Sequence, residues 1–210
     1  MKKIYINSVV KYSSDWDVKE IIPDANVRRR MSRIVKMGVS TGLKCLQESG
    51  VECPDAIITS TSYGCLADSE KFLSSSISSN EQVLPPTPFI QSTFNTIGSS
   101  IAILTGCYGY NMTYVNRRNS FSDGLLDAYM QIQEGKHNVL LGHTDEMTET
   151  LRTILTRMGA RGDRLPHDDC SWFFMLSDKE GANCFGFIEN LTLEKVRQIE
   201  SVDNFIEMLQ

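Results

Sequence analysis

Apolar residues switch repeatedly between strand and helix spacing along the chain, and that alternation predicts its elements. Residues 4–10 alternate as a first strand, and a polar loop with a Pro turn occupies 13–26. A helix is expected over 27–48, with Met31, Ile34, Val35, Val39, Leu43 and Leu46 on one face and Ser49-Gly50 as its stop. Residues 56–60 read as a buried strand, followed by a Gly turn and a helix over 66–73. The Ser-, Asn- and Pro-rich stretch 74–88 is the one long loop. A helix over 88–105 sets Phe94, Ile97, Ile101 and Leu104 on one side, while Gly98, Ser99, Ser100 and Ala102 let another helix approach closely.

Residues 110–146 organise the rest. Met112 and Tyr114 have strand chemistry, Leu125, Leu126, Tyr129 and Ile132 recur at helical spacing, and 139–141 is an apolar strand ending in polar residues. This βαβ unit predicts parallel pairing and a right-handed crossover. Beyond it come a helix over 149–158, a charged loop over 159–169 and strands at 172–176 and 185–193. In the tail, Val196, Ile199, Val202, Phe205, Ile206 and Leu209 mark a terminal amphipathic helix docked on the body. The class is α/β, with one domain over 1–193 and the docked helix over 194–210.

Composition narrows the picture. At 210 residues, 41% apolar and 22% charged, the chain is long enough for one sizeable core. A net charge of −5 argues against a general nucleic-acid binder. The six cysteines have neither zinc spacing nor the density of a disulfide framework, which predicts reduced, buried thiols and a cytoplasmic protein. No signal peptide or membrane span is expected. Arg28, Arg29, Arg30 and Arg33 crowd the first turns of the 27–48 helix, against its dipole, either as a solvated face or as a docking patch for an acidic partner.

Familiar catalytic and phosphate-binding motifs are absent, and no metal or cofactor set is expected. His143-Thr144-Asp145-Glu146 at a strand end offers groups for a metal or a general base, but adjacent strand residues point to opposite faces and cannot converge without a sharp turn, so a polar strand terminus is the simpler reading. Cys107 lacks a neighbouring His or helix N-terminus to lower its pKa, so packing is the simpler role.

The order of Thr93, a small-residue helix ending at Gly106, the strand over 111–116, the helix through Asp127, then Gly135 and 138–146, resembles the N-terminal half of β-ketoacyl synthases. These are thiolase-fold condensing enzymes of fatty-acid and polyketide synthesis. The resemblance implies a central mixed, mostly parallel sheet flanked by helices. Counting back seventeen residues from Gly135, the family's nucleophilic Cys falls on Arg118, between Arg117 and Asn119. The family's Gly-Gly becomes His143-Thr144, and its Glu is kept as Glu146. Arginine cannot replace a thiolate in acyl transfer, and the family's two catalytic histidines and lysine belong to a C-terminal half that this chain ends before reaching.

The resemblance therefore implies a chain length factor: the Cys-less partner of an active ketosynthase, similar to the truncated subunits of aryl polyene and flexirubin-type pathways. It would act with that partner on acyl chains tethered to a carrier protein. Asn111, Met112, Thr113, Tyr114 and Val115 would join the two sheets, and Phe89, Thr93, Phe94 and Asn95 would gate the acyl tunnel. Arg117, Arg118, Asn119 and Glu146 would form a vestigial pocket, plugged by ion pairs or open to a ligand. Two alternatives stay open: an acyltransferase or hydrolase using Cys107 or Ser120, and a homodimeric acyl-binding protein.

Overall fold

The strand-forming stretches assemble into a six-stranded sheet in the order β3-β2-β4-β5-β1-β6, in a computed structural model that describes residues 2–82, 84–160 and 169–209. The chain runs β1 (Ile4–Lys11), α1 (Val18–Ile21), α2 (Ala25–Arg30), α3 (Arg33–Ser49), β2 (Ala56–Ser60), α4 (Leu66–Ser78), α5 (Pro86–Gln91), α6 (Thr96–Thr105), β3 (Tyr110–Tyr114), α7 (Ser120–Gln133) and β4 (Asn138–Asp145). It continues with α8 (Glu149–Arg157), β5 (Cys170–Ser177), β6 (Gly186–Ile188), α9 (Leu193–Gln198) and α10 (Val202–Leu209). Most of the charged loop expected over 159–169, His167 included, lies outside the described residues.

The sheet is mixed but not mostly parallel. β3-β2 and β2-β4 pair in parallel, whereas β4-β5, β5-β1 and β1-β6 are antiparallel. Strand–helix alternation, the signal for parallel pairing, runs from β1 to β5, yet only β2, β3 and β4 pair in parallel: β5 returns antiparallel to β4 although α8 lies between them. β2, not β3, lies beside β4, so the 110–146 unit spans a neighbouring strand.

Each face of the sheet buries its own apolar cluster. Ile58, Leu141 and Phe174 meet α7 through Phe121, Leu125 and Ile132 on one face. On the other, Ile57, Leu140 and Phe173 meet Ile34 and Val35 of α3 and Ile97 and Ile101 of α6. Gly142 lies under the Phe173 ring, where a Cβ would stand only 2.3 Å from it. The tail joins the α7 side: Val196, Val202 and Phe205 are buried, and Phe205 meets the Phe121 and Phe174 rings at 5.4 and 5.6 Å.

Three expected long helices are each broken. The 27–48 helix splits at Met31, whose backbone is extended, and Ser32 starts α3. Arg28, Arg29 and Arg30 consequently lie in the last turn of α2, where the helix dipole favours cations. The 88–105 helix divides into α5 and α6 around residues 92–95, and the tail into α9 and α10 around Ile199. At Met31 and Ile199 apolar spacing runs through the break because both pieces pack on the same cluster, whereas α5 packs on α4 and α6 on α3 and the sheet. The loop expected over 74–88 is shorter, since α4 runs on to Ser78. The 185–193 strand shrinks to the three residues of β6.

Cys53 and Cys107 are joined in a disulfide, with Cα atoms 5.5 Å apart, correcting the expectation of reduced thiols throughout. The pairing is tertiary: 54 residues separate the two, and the parallel β2-β3 pair brings together the loops that lead into these strands. Cys45 and Cys65 are free and buried. Among the described residues no helix is long and apolar enough to cross a membrane.

Candidate functional site

The carboxyl ends of β2, β3 and β4 converge on one rim, the usual place for a site in an α/β sheet. After β3 the chain makes a 3₁₀ turn, Arg117–Asn119, and enters α7. Arg117 takes the left-handed backbone region at φ +52°, an uncommon state for a residue with a Cβ. Ser120 locks the turn: its hydroxyl donates to the Arg117 carbonyl at 2.6 Å and accepts from the Asn116 N–H at 2.7 Å. Arg117, Arg118 and Asn119 are exposed at the positive end of the α7 dipole. Neither guanidinium makes an ion pair among the described residues. An anionic nucleophile would be stabilised here; a guanidinium is not, and it has no lone pair to attack with.

Glu146 does not share this pocket. It follows β4 on the opposite face of the sheet from α7, fully buried, and accepts from the Ala67 N–H at the start of α4 at 3.0 Å. Arg33 reaches its other oxygen at 3.3 Å and also pairs with Asp169. Burial raises the Glu146 carboxyl, against the lowering pull of the Ala67 N–H and Arg33.

A constellation absent from the sequence reading lies on the α7 face. His143 Nδ1 is 2.9 Å from the Ser60 hydroxyl, and His143 Nε2 is 3.2 Å from Asp145 Oδ2. The Ser60 hydroxyl also donates to the Gly142 carbonyl at 3.0 Å. The ring thus bridges β2 and β4, with one nitrogen at Ser60 and the other at Asp145. Asp145 Oδ1 further accepts from the Thr61 hydroxyl at 2.6 Å and from the Ser62 and Tyr63 N–H groups at 2.8 and 3.3 Å. Desolvation alone would raise the Asp145 carboxyl, but His143, Thr61 and Ser62 outweigh it and hold it below the ordinary range. Alternation does send Thr144 and Glu146 to the other face, so the four residues never converge. The His-x-Asp spacing at a strand end was the available signal; its Ser60 partner comes from β2 and is invisible locally.

The expected interface strand, β3, is an edge strand with one side unpaired. Met112 and Val115 are exposed, Asn111 donates to the Gly98 carbonyl at 3.0 Å, and Thr113 shares a hydrogen bond with Thr59 at 2.8 Å. Tyr114 is half-buried. The expected gating residues Phe89, Thr93, Phe94 and Asn95 are all exposed around the α5–α6 turn. Phe89 packs on Phe72 with ring centroids 5.3 Å apart, and the Thr93 and Thr96 hydroxyls meet at 2.7 Å. Asn95 precedes α6 without a side-chain cap bond, and the Phe94 ring lies on Gly64.

Both alternative nucleophiles are disarmed. Cys107 is bonded to Cys53, and Ser120 is fully buried with its hydroxyl spent on the turn.

Among solved structures, the chain resembles a ketosynthase in complex with its chain length factor from Xenorhabdus doucetiae (TM-score 0.66, 17% identity, 86% of this chain and 81% of that one). It also resembles the ishigamide ketosynthase/chain length factor (0.65, 16%, 78% and 48%), about half of whose chain it spans. A type II polyketide synthase acyl-carrier protein in complex with its ketosynthase gives 0.74 at 12% identity, over 90% and 68%. No curated protein sequence matches. These likenesses establish the thiolase-like ketosynthase fold, and residues 11–160 match the profile of the β-ketoacyl synthase N-terminal domain, so the chain belongs to that family.

Proposed function

We propose that this chain is the non-catalytic, chain-length-setting partner of an active ketosynthase, working on acyl chains tethered to a carrier protein. The observation that carries this reading is Arg118, an exposed guanidinium at the head of α7, at the position that the count from Gly135 gives to the family's nucleophile. Acyl transfer through a thioester needs a polarisable thiolate there. The partner would supply it, joining β3 edge to edge across a pseudo-two-fold axis. Two of the similar structures are ketosynthase–chain length factor pairs, which supports the assignment. Phe89, Thr93, Phe94 and Asn95 would line the shared tunnel, and the acyl chains expected are of the aryl polyene type. Arg29 and Arg30, exposed at the end of α2, suit an acidic carrier protein; Arg28 instead donates to the Ile22 and Pro23 carbonyls, and Arg33 is held by Glu146 and Asp169.

Co-expression of the tagged chain with the ketosynthase encoded nearest to it tests the reading by pull-down, light scattering and elongation assay. A one-to-one complex active only with both chains is expected. A stable homodimer that ignores the ketosynthase would overturn it in favour of a homodimeric acyl-binding protein, which the free β3 edge also accommodates. In the assembled pair, Phe94→Ala should lengthen the products; an unchanged spectrum removes Phe94 from the gate.

A further inference from the structure

A covalent bond sits at the start of the open edge. Cys53 and Cys107, 54 residues apart, close a loop that contains β2, α4, α5 and α6 and ends just before β3. The two sides of this bond are held unequally. On the Cys53 side, Pro54 is buried and the Asp55 N–H donates to the Asn138 carbonyl at 2.8 Å. The Asp55 carboxylate also accepts from the His137 and Asn138 N–H groups, so this side is tied to β4. On the Cys107 side the turn begins at Gly106, in the left-handed region at φ +69°, and runs through exposed Tyr108 and Gly109. Gly109 passes so close to the Asp55 carbonyl that a Cβ there would stand 2.9 Å from it. β3 then has a strand on one side alone, whereas β2 has strands on both. Cys107 is therefore the end that gains freedom when the bond is cut. A cross-link of this span acts mainly by removing open conformations, so cutting it makes local opening more frequent.

The bond faces exchange from outside and is spared exchange from within. Cys53 is exposed, which gives an incoming thiolate a side to attack, while Cys107 is buried. The chain's own thiols do not compete. Burial pushes Cys45, Cys65 and Cys170 up to about 12, which keeps them protonated.

We propose that Cys53–Cys107 is a redox clasp on the β3 edge: oxidised, it holds the start of β3 against β2, and a dithiol reductant releases it. One thiolate of the reductant attacks the Cys53 sulfur, the Cys53–Cys107 bond breaks, and the Cys107 sulfur leaves and takes up a proton. The second thiolate then displaces Cys53, which is protonated in turn. Two electrons and two protons pass to the chain, and the reductant leaves as a disulfide. The weaker association through β3 that follows rests on the partner reading above; the clasp itself does not.

Hydrogen–deuterium exchange of the full chain, purified without thiols and compared before and after dithiothreitol, tests the clasp. Iodoacetamide labelling read by mass spectrometry comes first: Cys53 and Cys107 should be blocked before reduction and labelled after it. Reduction should speed exchange across residues 107–114 at least ~10-fold, leave β4, β5 and β1 within about 2-fold, and reverse on re-oxidation with diamide. Cys53→Ser combined with Cys107→Ser should exchange like the reduced chain and ignore dithiothreitol. Free thiols at both positions before reduction overturn the proposal. So does exchange that stays unchanged, or that rises equally over the whole sheet. Should the double variant fail to fold, the wild-type comparison decides alone. Titration with the ketosynthase separates the two readings. Binding at least ~10-fold weaker after reduction supports both, because opening competes with docking. Equal binding in both states overturns the control of association. No binding in either state, with exchange at 107–114 still responding, discards the partner and keeps the clasp.

Discussion

The two edges of the sheet are built to opposite ends. β3 offers five residues of parallel strand with an unpaired side, exposed Met112, exposed Val115 just past its end, and no lysine or proline within it. Ile103, Leu104 and Tyr108 extend the apolar surface through α6 and the turn after it. β6 offers three residues, and a lysine guards it: Lys3 Nζ sits 3.4 Å from the centre of the Phe187 ring, 5.5 Å from that of Tyr5, and 3.6 Å from Glu189. A short edge with an inward-lying cation resists pairing, whereas a long apolar one invites it. The difference marks β3, and not β6, as the edge left open to another strand.

The interior follows the same division. Parallel strands joined by distant crossovers need their ends fastened, and carboxylates do this for β2 and β4. Asp55 accepts from the His137 and Asn138 N–H groups at 2.8 and 3.0 Å at one end, and Asp145 gathers the turn after β2 at the other. The Cys53–Cys107 bond fastens β3 to β2 at their starts. The antiparallel half relies instead on the long β4-β5 and β5-β1 ladders.

The strongest way to break the contrast is a charge on the open edge. Met112→Asp should weaken association with a partner strand at least ~100-fold, while Phe187→Asp should change it less than about 2-fold, because only the first buries an unpaired carboxylate. Equal effects in a binding titration would remove the asymmetry.

Next in size is the fastening of the parallel half. Asp145→Asn should cost about 2–3 kcal/mol, or roughly 5–10 °C in Tm, through loss of the buried His143 pair. The carboxyl of Asp145 is held below the ordinary 3.8 in the fold. Its stabilisation is therefore complete above that pH and is lost as the pH falls through the folded value. Acid unfolding of Asp145→Asn should accordingly show a flatter limb below pH 3.8 than wild type.

The smallest effect belongs to the guarded edge. Lys3→Ala should cost about 0.5–1 kcal/mol and raise self-association through β6, measured by denaturant titration and light scattering. No change in either would leave the shortness of β6 as its only protection.

The elements around β3, α7 and β4 were legible because their periodicities are local and uninterrupted. The helix breaks at Met31 and Ile199 were not, since apolar spacing continues across a break when both pieces face one surface; the break at residues 92–95 was not either, because α5 turns away onto α4. His143 and Asp145 were visible as chemistry, but their junction with Ser60 required β2 to lie beside β4. Cys53 and Cys107 looked like two unrelated thiols until the β2-β3 pairing brought their loops together.

Sequence by itself determined the α/β class, the β3-α7-β4 segments and the apolar character of the tail, all properties of neighbouring residues. Only the tertiary structure decided which strands meet and in which direction, which edge stays open, that Glu146 and Arg118 lie on opposite faces, and that Phe94 closes over Gly64. Those outcomes depend on contacts between residues far apart in the chain, and such contacts follow from how two apolar faces share one sheet.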